Sequence, residues 1–317
     1  MTETPIVVVF GATGFVGRAV VVELRNRGAE VRTIRAPRLP PTRAKQVREA
    51  LRGCDALVED LAQELAGADV VVNAAGNPDA SNHDEASLNA ANALLPAVLA
   101  RAIRPAKVAR FVHVSSAVVQ GAASRLDQSE NTAAFSAYSR SKVLGERLVL
   151  EFAAPATVVY RPPSVHAADR RVSRMTARIA RSPISSVARP GSSPSPQTVL
   201  RNVADAIAFL ATTPAQPPAI VAHPSEGLTT ASLLTFLGGR PPLVIPRALA
   251  RAVIVMLTTS GKAVPQIAAN ARRVEMLWFG QSQATSWLTE AGWSPPAGRD
   301  AWRELGRRLA ENSAGRT

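Results

Sequence analysis

Tyr138 and Lys142 stand four residues apart in Ala137-Tyr138-Ser139-Arg140-Ser141-Lys142, at the head of a helical pattern running to Phe152, so they share one helix face. A phenol with an ordinary pKa of about 10 is a poor acid or base at neutral pH, and a cation beside it lowers that pKa by stabilising phenolate. Such a pair exchanges a proton with a carbinol or carbonyl oxygen while hydride moves to or from a nicotinamide. The chain holds two tyrosines and only four lysines, at 45, 107, 142 and 262, so this spacing would arise by chance about once in forty. Ser115-Ser116 ends the apolar run Phe111-Val112-His113-Val114, which places the Ser116 hydroxyl at the carboxyl edge of a sheet, where open α/β folds bind ligands. There it can bond the same substrate oxygen.

Gly11-Ala12-Thr13-Gly14-Phe15-Val16-Gly17 follows one apolar strand and opens a helix. The first glycine serves the tight turn, the next lets the backbone approach a pyrophosphate, and the third lets helix pack close on strand. The spacing is GxxGxxG, and the helix N-terminus faces the phosphates. Arg35 ends the second strand, where an NAD site usually places an acid for the ribose hydroxyls; a guanidinium suits a 2′-phosphate, with Arg18 and Arg38 near, so NADP(H) is favoured over NAD(H). Asn73-Ala74-Ala75-Gly76 offers the small side chains expected where backbone passes close to a cofactor. His83, His113, His166 and His223 have no carboxylate or cysteine at ligand spacing, so no metal is expected. Cys54, the one cysteine, reads as a structural thiol.

The elements that must position these groups alternate in βαβ fashion. Strands are expected at Ile6 to Phe10, Glu30 to Arg35, Asp69 to Ala74, Arg110 to Ser115 and Ala156 to Arg161, with a helix from Val16 to Arg27 ended by Gly28. Between Ala36 and Ala68 two readings stay open, a short third strand at Ala56 to Glu59 or a mostly helical segment. From Arg161-Pro162-Pro163 to Pro196 the composition turns to Arg, Ser and Pro, as where a second lobe begins. Thr198 to Ala211 is an amphipathic helix, Ala219 to Ala222 a short strand, and the rest is helical with Trp278, Trp287, Trp293 and Trp302 near the end. The fold class is α/β, a Rossmann-type doubly wound parallel sheet with a smaller, mostly helical C-terminal substrate lobe. Residues 1–163 with 198–223 would form the dinucleotide domain, and 164–197 with 224–317 the substrate lobe.

Composition narrows the classes. With 317 residues, 46% apolar and 19% charged, the chain can bury a sizeable core. A formal charge of +13 invites a nucleic-acid reading, but the basic residues run along the whole chain and aromatics are only 4%, which leaves few stacking platforms. The skew toward arginine reads as compositional bias, and no nucleic-acid partner is expected. The longest apolar stretch, Ala248 to Thr258, is interrupted by Arg251 and falls short of the roughly 20 residues a membrane span needs. Met1-Thr2-Glu3-Thr4-Pro5 lacks a basic residue and leads straight into a strand, so no secretory signal and a cytoplasmic location are expected.

In this order the motifs resemble the extended short-chain dehydrogenase/reductase family, in particular its NAD-dependent epimerase/dehydratase group acting on nucleotide sugars. The resemblance runs through the glycine loop, Asn73-Ala74-Ala75-Gly76, Arg110 to Ala117, Tyr138 to Glu146, Tyr160-Arg161-Pro162, Asn202-Val203-Ala204-Asp205-Ala206 and Gly292-Trp293-Ser294-Pro295. It implies that Ser116, Tyr138 and Lys142 form a catalytic triad, that Tyr138 and Lys142 also touch the cofactor, that Arg161-Pro162 begins the junction from cofactor to substrate, and that the protein is a homodimer through helices near 83–103 and 136–153. Departures concern the substrate side. The family's Tyr-Gly after the serine appears as Gln120-Gly121, its Tyr-Gly-Pro as Val165-His166-Ala167, and its diphosphate-gripping arginine is replaced around Gln197-Thr198. Substrate contacts are expected from Ser116 and Ala117, and the cluster Arg170, Arg171, Arg174, Arg178 and Arg181 offers itself to an anionic small molecule. Ser116 is followed by Ala117-Val118 where dehydratases carry an Asp-Glu pair, which argues against elimination. The resemblance implies a reductase or dehydrogenase at a secondary alcohol or ketone, such as a nucleotide-linked 4-keto sugar. Two other readings stay open: a nucleotide-sugar 4-epimerase with tightly held NAD, and a non-catalytic dinucleotide-binding sensor or assembly protein.

Overall fold

A computed structural model describes residues 4–79, 82, 84–152, 154, 156–260 and 265–314. In chain order the first half runs β1 (Ile6–Phe10), α1 (Phe15–Asn26), β2 (Glu30–Ile34), α2 (Val47–Arg52), α3 (Asp55–Glu64), β3 (Val70–Asn73), α4 (Glu85–Asn89), a π-helical turn (Ala90–Leu94), α5 (Leu95–Ile103), β4 (Arg110–Val114), β5 (Arg125–Leu126), α6 (Ala137–Phe152) and β6 (Thr157–Arg161). The second half runs β7 (Ser164–His166), α7 (Arg171–Arg181), β8 (Ser186–Ala188), β9 (Gln197–Val199), α8 (Leu200–Thr212), β10 (Ile220–Ala222), α9 (Thr230–Gly238), β11 (Leu243–Ile245), α10 (Arg247–Ser260), α11 (Pro265–Phe279), β12 (Ser282–Gln283), α12 (Trp287–Glu290) and α13 (Arg299–Ala314).

Six strands form one parallel sheet in the order β10-β6-β4-β3-β1-β2. Its central strands read as unbroken apolar runs because both faces are covered: Val70 to Asn73 and residues 157–161 are buried throughout. One face packs on α2, α3, α5 and α6 through Val8, Phe10, Leu99, Phe111 and Leu148. The other packs on α1 and α8 through Val9, Val20, Leu24, Val203 and Ile207. Leu288 and Trp293, far along the chain, join this second face. Leu94, Leu99 and Ile103 are fully buried, and each contributes roughly 1.5–3 kcal/mol of burial.

The open segment resolves as helix. Ala56 to Glu59 lies inside α3, where Val58 and Leu61 recur at helical spacing on the buried side, so β2 is left as the sheet edge. The lobe beyond has its own core of Ala177, Leu233, Leu234, Leu237, Trp302 and Leu309, with three short parallel pairs, β7 with β9, β8 with β11 and β5 with β12. Among the described residues one helical run, Glu85–Ile103, is long and apolar enough to cross a membrane, and it is 78% buried as the core helix of the sheet's first face.

Candidate active site

Strand order reverses at β1, which pairs with β2 on one side and β3 on the other, and this makes the loop after β1 the ligand crevice of an open parallel sheet. Gly11 adopts φ +78°, and a Cβ there would lie 2.6 Å from the Ala75 backbone nitrogen. A Cβ on Gly17 would lie 2.1 Å from the Gly11 carbonyl oxygen. Glycine is therefore the only residue that lets α1 and the Ala74-Ala75-Gly76 turn close on this loop. Gly14, capping α1, offers no side chain to the helix N-terminus, and the first turn holds no acid. The amides of Phe15, Val16 and Gly17 are thus left to an anion. Thr13 is exposed at the rim, and Arg35, Arg18 and Arg38 are exposed around the end of β2. That cradle is the fit expected for a dinucleotide pyrophosphate.

Asn73 ends β3 with its side chain buried, receiving the Ala75 amide at 3.0 Å and bonding His113 Nδ1 at 3.2 Å. It pins the turn that closes over Gly11. Burial and the nearby Lys142 charge hold His113 well below its ordinary pKa, so its ring is neutral. Asn92, inside the π-helical turn, accepts the Asn77 amide at 2.9 Å and donates to the Asn77 carbonyl and to Ser141 Oγ, both at 3.1 Å. It joins the loop after β3 to α6. A π-turn here shifts the helix face locally, as such turns do at functional sites.

Tyr138 and Lys142 occupy successive turns of α6. The Lys142 ammonium is buried and donates to the Val114 carbonyl at 3.2 Å. Burial draws its pKa down to about 8, with the Glu146 carboxylate pulling the other way. Tyr138 is half-buried, and the Ser116 hydroxyl lies near enough to favour its phenolate. The expected net lowering of the phenol is not what the chain's own groups produce. Burial pushes it up, and the Arg170 charge and the Ser116 hydroxyl only partly offset this. The cation acting on Tyr138 is Arg170, while Lys142 sits deeper against the sheet. Ser116 starts a 3-10 turn (Ala117–Gln120), its hydroxyl accepting the Val118 amide at 3.3 Å. The adjacent Ser115 instead donates to Glu146 within the buried interior.

Glu146, four residues beyond Lys142, is 2% exposed and meets the guanidinium of Arg161, also 2% exposed, through Nη2 at 2.7 Å and Nε at 3.1 Å. Arg161 Nη1 donates to the Ser129 carbonyl at 2.8 Å. The Arg161 side chain is thus committed to the protein interior, and only its backbone, with Pro162 accepting the Ala117 amide at 2.8 Å, borders the site. A shallow cleft lies between Ala117, Gln120, Asp127, Arg161, Pro163 and Gln283. Gln120 is clamped there, donating to Asp127 at 2.7 Å.

The five-arginine cluster separates. Arg170, the residue before α7, lays its guanidinium over the Phe15 ring with 4.5 Å to the centroid and acts on Tyr138, so it bridges glycine loop and phenol. Arg174 donates to the Asp169 carbonyl at 3.1 Å and is exposed. Arg178 is exposed one turn further. Arg181 donates to the Gly306 and Leu309 carbonyls of α13. Arg174, Arg178 and Arg181 therefore do not converge with Tyr138. Asn92 and Glu146 were missed as site residues in the sequence, since neither type nor spacing shows that Asn92 meets the Asn77 loop or that Glu146 meets Arg161. Among the described residues no group of His, Cys, Asp and Glu could hold a metal, and His83 lies outside them.

Comparison with known proteins places this geometry. The model of the NAD dependent epimerase/dehydratase family matches residues 7–220. A probable dTDP-4,6-dihydroxy-2-methyloxan-3-one 4-ketoreductase of Streptomyces antibioticus is 34% identical over 153 residues, 47% of this chain and 48% of that protein. A 4-hydroxy-2-methyl-3-oxo-4-farnesyl-3,4-dihydroquinoline-1-oxide ketoreductase of Stigmatella aurantiaca is 32% identical over 174 residues, 51% of this chain and 50% of that one. The chain thus matches about half the length of these curated relatives. Among solved structures, dTDP-4-dehydrorhamnose reductase from Bacillus anthracis with NADP superposes with TM-score 0.61 at 16% identity, covering 97% of this chain and 99% of that one. UDP-glucuronic acid 4-epimerase from Bacillus cereus with NAD gives 0.64 at 17%, covering 96% and 99%. These likenesses establish the Rossmann-type fold.

Proposed function

We propose that this chain, which belongs to the NAD dependent epimerase/dehydratase family, is an NAD(P)-dependent reductase or dehydrogenase acting at a secondary alcohol or ketone, with a nucleotide-linked keto sugar as the reference substrate. The observation that carries the proposal is the placement of Tyr138 and Lys142 on successive turns of α6, Lys142 donating to the end of β4 at 3.2 Å, with Arg170 reaching from the Phe15 ring of the glycine loop to the phenol. Both curated relatives carry ketoreductase names, one for a nucleotide-linked substrate and one for a farnesylated quinoline, which supports ketone reduction more firmly than either substrate.

A bound nicotinamide dinucleotide would supply or accept hydride. Gly11, Thr13, Gly14, Phe15, Val16 and Gly17 would hold its phosphates, with Ala74, Ala75 and Gly76 against it and Lys142 and the Arg161-Pro162 backbone at its reactive end. The remaining steps belong to the chain. Ser116 orients the substrate oxygen by its hydroxyl. Tyr138 gives that oxygen a proton in reduction or takes one in oxidation, its phenol kept protonated through neutral pH by burial. Arg170 stabilises the phenolate that remains, and it alone of the arginine cluster stands where an anionic substrate group would arrive. NADP(H) is favoured over NAD(H) because Arg35 is exposed at the end of β2 with Arg38 close in sequence.

The functional division follows the same lines: residues 1–163 with 198–223 bind the dinucleotide, 164–197 with 224–317 select the substrate, and Leu288 and Trp293 from the latter pack onto the former. Homodimerisation through α4 and α6 belongs to this reading, since α5 is already buried inside the chain, as does a cytoplasmic location. The 4-epimerase alternative is favoured by the epimerase-like fold. Desalting tests it. Purified protein that loses its dinucleotide on desalting and then consumes NADPH stoichiometrically with a nucleotide-linked ketone is a reductase. Firmly retained NAD with no net consumption would make it an epimerase.

A further inference from the structure

The second lobe carries an outward face that hydride chemistry does not use. On α10, Leu249 and Val255 are 54% and 62% exposed, and on α7 Met175 and Ile179 are 49% and 43% exposed. Between the two helices Ile184 is 80% exposed and Leu243 58%. Ile184 and Leu243 adjoin: the carbonyl of Ser185, next to Ile184, accepts the Leu243 amide at 2.7 Å. Arg240 ties the end of α7 to the approach of β11 through the Arg181 and Ser182 carbonyls. Exposed large aliphatic groups gathered in this way mark an interaction surface.

Charge says what kind. From Arg170 to Ser260 the chain has ten arginines and two acids, Asp205 and Glu226. Neither acid is available to this face. Asp205 is paired with Arg27 at 2.9 Å and receives the Trp293 indole N–H at 2.7 Å, while the Glu226 side chain is 4% exposed. Arg174 and Arg178 alternate with Met175 and Ile179 along α7, and Arg247 and Arg251 flank Leu249 on α10. A second copy would bring one arginine-rich run against another, with the exposed Asp169 just before α7 offering little to balance it. A nucleic acid would meet exposed aliphatic groups, the Phe279 ring beside α10 being covered by the guanidinium groups of Arg247 and Arg251 at 5.1 and 5.4 Å and so not offered to its bases. A surface of anionic headgroups over an apolar interior answers both halves of the pattern.

We propose that this face docks the protein peripherally on an anionic lipid bilayer, α7 and α10 lying along the headgroup boundary with aliphatic side chains inward and guanidinium groups among the phosphates. Helix α7 follows directly on Arg170, which acts on Tyr138, and its 11 residues span about 16 Å, so the docked surface begins at the mouth of the site.

The test is co-sedimentation of the full chain with vesicles of phosphatidylcholine alone and of phosphatidylcholine with about 30% phosphatidylglycerol. Docking predicts binding to the anionic vesicles only, weakened by added salt, and reduced at least about tenfold in the Leu249→Asp/Val255→Asp double variant with the melting temperature retained. Ile184→Asp, at the most exposed position, provides a second variant with the same expected loss should the first fail to fold. Binding that ignores lipid charge, absence of binding, or variants that bind like the parent would overturn the proposal. So would equal retention on duplex DNA, or a parent dimer that the variants dissociate.

Discussion

Tyr138 and Lys142 of α6, Ser116 after β4 and Arg170 from the lobe decide the chemistry, and the charges among them titrate in ways that can be followed. Lys142 has its pKa depressed from 10.5 to about 8 in the folded chain by burial. Between about pH 8 and 10.5 the unfolded chain therefore binds more protons, and stability rises with pH across that window. Below pH 8 the buried cation costs about 3 kcal/mol. Lys142→Met should then be more stable than the parent at pH 7 in denaturant titrations, and the gap should close as pH approaches 10.5. A pH-independent gap would mean that Lys142 is not held as a buried cation. Arg170 pulls the Tyr138 phenol downward, so Arg170→Gln should move the alkaline limb of ketone reduction to higher pH while leaving the fold intact. An unmoved limb would remove Arg170 from the proton-transfer site. The sequence reached Ser116, Tyr138 and Lys142 because types and spacing sufficed. It named Arg170 only as one of five arginines, because which of them reaches the phenol depends on how α7 packs, and that packing has no local signature.

At the scale of elements, α6 is held by groups behind its chemical face. The Glu146–Arg161 pair is almost wholly buried, so removing one partner strands the other charge. Glu146→Ala should cost about 3–5 kcal/mol, read by chemical denaturation, and Glu146→Leu combined with Arg161→Met should recover a substantial part of it. If the double replacement lost as much as the single, the cost would lie in packing and not in charge. The first-half strands and α1 were legible from apolar runs and turn residues, ends differing by one or two residues. The segment at Ala56 to Glu59 stayed open because Leu57 and Val58 alone suit strand or helix; burial of Val58 with Leu61 against α5 settles it as helix. Asn92 escaped notice because an asparagine in a long apolar run reveals nothing until the loop it anchors is seen.

Over the whole molecule, a parallel sheet brings the glycine loop, the turn after β3, Ser116 and α6 to one edge, and the lobe closes over that edge from α7. The arginine excess, read along the chain as compositional bias, is unevenly distributed, since residues 170–260 hold ten arginines and two acids. The most direct measurement of the central claim is single-turnover oxidation of NADPH by a nucleotide-linked keto sugar, comparing the parent with Tyr138→Phe. If Tyr138 delivers the proton, the parent consumes one NADPH per ketone reduced. The variant, lacking only a hydroxyl, should react about 100-fold or more slowly while binding the dinucleotide as the parent does. A variant that keeps the parental rate would contradict the account.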